Sequence, residues 1–151
     1  MAELQRVDIY VETDNKAPAS CERYGGYVLE YVRANGEPET RHDFRQTTGT
    51  YHGVILETLK TALTRIKRSC DVHIHTQDAY VLNMVDKFLV TWAENGFRNS
   101  KGEPIKNMDT WEQLWQQVKK HKIVVEHGPH SFHGWMQRQM EEKKKEKTRE
   151  H

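Results

Sequence analysis

Residues 7–12, Val-Asp-Ile-Tyr-Val-Glu, put Val7, Ile9 and Val11 on one side and Asp8, Tyr10 and Glu12 on the other. Such alternation is what a strand resting on a core requires. From Gly53 to Lys67 the period changes, and Val54, Ile55, Leu59, Leu63 and Ile66 recur at helical spacing. Alternation then returns in the short segment Asp71 to Thr76. A chain that switches period in this way has to lay helices on a sheet, which restricts it to an α/β architecture.

The remaining segments fill in that frame. Gly25-Gly26 opens a second strand, Tyr27 to Val32, and Asn35-Gly36 is a hairpin turn signal that returns Pro38 to Arg45 as a third. Asp78 stands at the N-cap of a helix from Ala79 to Asn95, which Gly96 ends. Asn99 to Pro104 reads as a loop. Asp109 reads as the cap of a helix through Lys119, with Trp111, Leu114, Trp115 and Val118 on one face. Ile123 to Glu126 is a last strand. The order βββ-α-β-α-α-β predicts a mixed sheet flanked by helices, with one domain over residues 1–140. Residues 141–151 form a charged tail, either a solvated helix end or disorder.

A chain of 151 residues is long enough for one core without staples. Charged residues make up 30% of it, and no apolar run reaches the ~20 residues of a membrane span, so a membrane partner is not expected. The first residues show no apolar signal-peptide core. Cys21 and Cys70 form no CxxC pair, so two free thiols in a reducing, cytoplasmic setting are the expectation. With a formal net charge of +1, any nucleic-acid site has to be a local patch rather than an overall basic surface.

The motifs are more specific than the element order. Tyr80-Val81, Trp92, Asn95-Gly96-Phe97 and the run Pro104-Ile-Lys-Asn-Met-Asp-Thr-Trp-Glu-Gln-Leu114 align without a gap. Together they resemble the type 1 ribonuclease H family. Thr47-Thr48, Ala62-Leu63 and the strand ending at Thr76 extend the resemblance to nearly the whole chain, from residue 7 to about 140. It implies a ribonuclease H-like mixed five-stranded sheet flanked by helices. It also implies an RNA–DNA hybrid as ligand, and hydrolysis of the RNA strand by two Mg²⁺ or Mn²⁺ ions held by four carboxylates. Two such ions ~4 Å apart need shared carboxylates to neutralise them.

The resemblance assigns four acid positions. Glu12 occupies the first, with Asp14 two residues on and on the same face if the strand continues. Ile55 occupies the second; Glu57 is nearby in sequence but about 200° around the helix, so it should face solvent. Tyr51 and His52 stand where the family has hybrid-contacting asparagines. Gln77 occupies the third, with Asp78 next to it at the cap. Counting ten residues from the loop histidine, His130, puts Met140 at the fourth, with Glu141 adjacent. The candidate catalytic residues are therefore Glu12, Asp14, Asp78 and His130, and the candidate metal ligands are Glu12, Asp14 and Asp78.

For nucleic-acid binding the resemblance points to Arg98, Lys101 and Lys106 as phosphate contacts and to Trp92 and Phe97 as aromatic partners, with Glu94 and Glu103 diluting the field. His127, His130 and His133 match no standard zinc spacing and read as a surface loop. His73 and His75 share one face of a strand. The function expected is a monomeric nucleic-acid-binding ribonuclease H homologue whose hybrid cleavage is weakened or lost. The alternatives are an active enzyme with relocated carboxylates and a protein-interaction module on the same fold.

Overall fold

The computed structural model describes residues 3–149. Its sheet is built from β1 (Arg6–Thr13), β2 (Cys21–Val32), β3 (Pro38–Gly49), β4 (Asp71–His75) and β5 (Lys122–Glu126), in the order β3-β2-β1-β4-β5. The first three strands form an antiparallel meander, while β4 and β5 run parallel to β1. The predicted mixed five-stranded sheet is therefore present. Gly36, at φ +87°, makes the β2–β3 turn.

Among the described residues, the helices that accompany this sheet are α1 (Tyr51–Thr64), α2 (Ala79–Asn83), α3 (Leu89–Glu94), α4 (Met108–Val118) and α5 (His133–Arg149). A π-helical turn, Met84–Phe88, joins α2 to α3, so the single helix expected from Ala79 to Asn95 is a helical run with a wide turn inside it. On one face of the sheet, Ile9, Val11, Leu29, Val72 and Ile74 meet Leu56, Leu59 and Leu63 of α1 and Trp111 and Leu114 of α4. The smaller cluster on the opposite face joins Tyr10, Val28 and Phe44 to Met136 and Met140 of α5.

Several boundaries differ from expectation. Strand β2 begins at Cys21, because Gly25 and Gly26 lie inside it and pair with Thr13 and Glu12. A side chain at Gly26 would meet the Phe44 ring at 2.0 Å, so this glycine reflects close packing beside Glu12 and not a strand start. Helix α1 starts two residues early, at Tyr51, with the Thr50 hydroxyl capping Gly53 N at 3.1 Å. Helix α4 follows Asn107, at φ 61°, so Asp109 lies in the first turn and is not the cap. The tail from Glu141 continues α5 to Arg149, and residues 150–151 lie outside the described residues.

Candidate active site

The C-terminal ends of the inner strands β1 and β4, the N-terminus of α1 and the start of α5 meet at one end of the sheet. Strand alternation turns Val11 into the core and Glu12 to the opposite face, where α5 crosses. Glu12 is 4% exposed. Its Oε1 accepts from Gln137 Nε2 at 2.8 Å and lies 2.6 Å from His133 Nδ1. Its Oε2 lies 2.9 Å from Nε2 of the buried His130 imidazole, close enough for charge pairing but not aligned as a hydrogen bond. Gln137 also donates to Thr13 O at 3.0 Å. Burial pushes the Glu12 pKa up, but the contacts from His130, Gln137 and His133 outweigh it and leave it below the ordinary value.

Ile55, Tyr51 and Gln77 line the recess beside Glu12, together with Lys16, and the recess has no room for a water-sized guest. Ile55 is fully buried. Gln77 bridges Lys16 Nζ and His133, the latter at 3.3 Å. Burial, followed by the charges of Asp78 and Glu12, pushes the Tyr51 phenol up to about 12, so a neutral hydroxyl stands where the field is negative. Asp78 is 2% exposed, and one oxygen caps α2 through Val81 N at 3.1 Å. Its other oxygen lies 2.6 Å from His52 Nδ1.

The three carboxylates proposed as ligands are not brought together. Asp14 lies past the end of β1. It accepts from Tyr24 N at 2.9 Å and pairs with Lys144 Nζ at 2.8 Å, about 10 Å further along α5 than the Gln137 contact with Glu12. Asp78 faces α1. Among the described residues, no three His, Cys, Asp or Glu side chains are grouped to hold a metal ion. The donor set does not fit a pair of Mg²⁺ ions, which demand concentrated carboxylate oxygen before they give up water. Glu12 offers one charge already shared among two imidazoles and an amide, with Ile55 and Gln77 as neutral neighbours and the Lys16 cation close by. Glu57 bonds Lys60 Nζ at 2.9 Å and Thr110 Oγ1 at 3.1 Å, bracing α1 against α4.

Two sequence expectations change on α5. Met140 is fully buried against Val28 and Phe44, and the α5 side chain that reaches Glu12 is Gln137. Met140 and Gln137 are one turn apart on α5, and Met140 faces the sheet cluster while Gln137 faces Glu12. The His127–His133 segment is also not simply a surface loop. His127 is exposed, but His130 and His133 both converge on Glu12. Gln137 had no signal in the sequence, since an amide in a polar helix is ordinary.

The same face of the sheet carries two more histidine–carboxylate pairs. His75 Nε2 lies 2.8 Å from Asp8, which Arg6 also holds, and His73 Nδ1 lies 2.9 Å from Glu126. Tyr10 stacks on His75 at 4.4 Å and leans on His130 at 4.9 Å, joining these pairs to the Glu12 cluster.

The loop between α3 and α4 is ordered by its own bonds. Asn99 Oδ1 accepts from Lys101 N and Glu103 N, and Arg98 donates to Gly102 O at 3.0 Å. Arg98, Lys101 and Lys106 are exposed. Phe97, at φ 60°, is buried in the main core, so it packs the loop and offers no ring face to a base. Trp92 packs edge-on against Trp111 at 5.1 Å, and exposed Phe88, absent from the sequence-derived site, stacks on Trp92 at 6.1 Å.

Comparison with known proteins agrees with this architecture. The RNase H family model matches residues 19–134. A ribonuclease H of Clostridium botulinum (strain Hall) is 26% identical over 121 residues, covering 80% of each chain. One of Idiomarina loihiensis is 37% identical over 103 residues, covering 66% of this chain and 62% of that protein. Among solved structures, LC9-RNase H1, described as a type 1 RNase H with the type 2 active-site motif, superposes with a TM-score of 0.69 at 18% identity. That match covers 94% of this chain and 71% of that one. A foamy viral protease-reverse transcriptase in complex with RNA/DNA hybrid gives 0.60 at 19% identity, over 91% of this chain and 19% of the viral one. With the family model matched over residues 19–134 and the β3-β2-β1-β4-β5 sheet in place, the chain belongs to the ribonuclease H family.

Proposed function

We propose that this chain is a nucleic-acid-binding member of its family, with RNA–DNA hybrid as ligand, in which metal-dependent cleavage of the hybrid is weakened or lost. One observation carries the reading. Glu12, the one carboxylate at the acid positions that the family resemblance assigns, faces His130 through Oε2 and His133 and Gln137 through Oε1, while Ile55 and Gln77 fill two other positions. Losing one comparable electrostatic contact to a transition state typically costs ~10²–10³ in rate. The exposed Arg98, Lys101 and Lys106, with Phe88 and Trp92 beside them, supply the surface for the hybrid. In these terms the protein works as a monomer in a reducing, cytoplasmic setting, in keeping with its two free cysteines.

The test is a cleavage assay on a labelled hybrid with Mg²⁺ and with Mn²⁺, run beside Glu12→Gln and Asp78→Asn. Background turnover in all three is expected, with hybrid binding on the order of micromolar or weaker and falling steeply with salt. Robust cleavage that both substitutions abolish would establish an active enzyme with relocated carboxylates. Absence of hybrid binding at low salt would favour a protein-interaction module.

A further inference from the structure

At the opposite end of the sheet, a groove of about 600 Å³ opens between the start of β1, the middle of β2 and the end of α1. Its floor is apolar, made by Val7, Leu29, Ile66 and the half-buried Tyr31 ring. Arg41, Arg65, Lys67 and Arg68 stand around it, all exposed, and no carboxylate is among the described residues that line it. Arg65 is held in place by the buried Tyr27, its Nε donating to the phenol oxygen at 3.0 Å. The nearest described acid to pair with this rim, Glu39, lies 2.8 Å from Arg41 but is shared with Arg33 and the Tyr31 hydroxyl. In a chain whose cations and anions nearly balance, this is a concentrated positive field.

We propose that this groove binds a single-stranded nucleic acid segment, with phosphates on the four cations and a base against the Tyr31 floor. Cations that track a backbone beside an aromatic platform are how unpaired strands are held without sequence preference. The concavity suits one or two unpaired nucleotides and is too small to admit a duplex, and its volume lies within the usual ~300–1,000 Å³ of ligand sites. Helix α1 connects it to the candidate active site, since His52 meets Asp78 at one end and Arg65 meets Tyr27 at the other. Its 14 residues span about 20 Å, so a strand leaving a hybrid could reach the groove within a few nucleotides. The groove shares no residue with the surface invoked under Proposed function and stands if that reading fails.

The experiment is fluorescence anisotropy on the full chain with labelled ten-nucleotide oligo-dT and oligo-rU, and with a blunt hybrid, over a range of salt. The triple variant Arg41→Gln/Lys67→Gln/Arg68→Gln should weaken single-strand binding at least tenfold. It should also lower the salt slope by about 0.7 per cation removed, and change blunt-hybrid binding little. Single variants Lys67→Gln and Arg68→Gln should each remove about one such step, and an unchanged melting temperature checks the fold. Neutralising Arg98, Lys101 and Lys106 should do the reverse, sparing the single strand. Equal single-strand affinity and slope in the parent and triple variant would overturn the proposal, as would no binding by the parent at low salt. Displacement of the oligonucleotide by inorganic phosphate at equal phosphate concentration would also overturn it, reducing the groove to a small-anion site.

Discussion

The two faces of the sheet are built from different materials. Toward α1 and α4, the strands present Ile9, Val11, Leu29, Val72 and Ile74, and these meet the buried Leu56, Leu59 and Leu63 of α1. Toward α5 the same strands present Asp8, Tyr10, Glu12, His73 and His75, and burial there is sustained by hydrogen bonds and ion pairs as well as packing. Apolar burial stabilises without regard to direction, whereas a buried carboxylate is tolerated only while its partners stay in place. The comparison teaches that the fold is secured on one face and the chemistry is set on the other. Ile55, buried in the apolar core of the first face, and Glu12, on the second, meet where the two faces join, in the recess that Gln77 also lines.

That division can be broken by substitution. The largest effect is expected at Leu59→Ala, in the middle of the α1 face, at about 2–5 kcal/mol by denaturant unfolding. Met136→Ala, fully buried under α5, should fall at or below the low end of that range, because its cluster is smaller. If Met136→Ala costs more than Leu59→Ala, the α5 face is the principal core and the comparison fails. Glu12→Gln should cost about 2 kcal/mol near neutral pH, since it removes the charge from a buried carboxylate whose Oε1 is hydrogen-bonded and whose Oε2 faces the His130 imidazole.

The Glu12 substitution also carries a pH signature. Its folded pKa is depressed, as is that of Asp8, where burial raises it but the bonds from Arg6 and His75 outweigh burial. A depressed carboxylate contributes stability that is fully present above the unfolded value of about 4 and is lost as pH falls through the folded one. The gap in melting temperature between the parent and Glu12→Gln should accordingly be widest near pH 6 to 7. It should close on acidification below about pH 4. A gap independent of pH would mean that Glu12 acts by shape alone.

Smaller effects sharpen the same picture. Asp78→Ala should cost about 1 kcal/mol through the lost α2 cap, with Asp78→Asn recovering most of it, because an asparagine still accepts from Val81 N. Recovery by Asn would identify Asp78 as a cap first and a partner of His52 second. Glu57→Ala, on the exposed seam between α1 and α4, should shift stability by no more than about 0.5 kcal/mol.

Much of this was legible in the linear pattern. The alternation at residues 7–12, the switch of period after Gly53, the Asn-Gly turn and the Asp78 cap are local signals, and each marks the element found there. Gly25-Gly26 misled for a local reason, since paired glycines inside a strand look like a break until their partners Phe44 and Thr58 are known. The π turn at Met84–Phe88 leaves no mark in composition. At the candidate site, Ile55 follows from counting back from Ala62-Leu63 and Gln77 from its place after Thr76, and the recess beside Glu12 contains both. Which α5 side chain reaches Glu12, Gln137 and not Met140, depends on how that helix packs on the sheet.

The α/β class and the chain's family are legible in the sequence alone, as is the presence of neutral side chains, Ile55 and Gln77, where the resemblance expects acids. These follow from periodicity and from which residue types occur, both of which are properties of the line. Only the tertiary structure decided that His130, His133 and Gln137 close over Glu12, that Asp14 and Asp78 turn to separate partners, and that four cations from β3 and the end of α1 ring one groove. Glu12 and Gln137 are 125 positions apart. A contact between residues that distant depends on how two elements pack, and no local pattern encodes it.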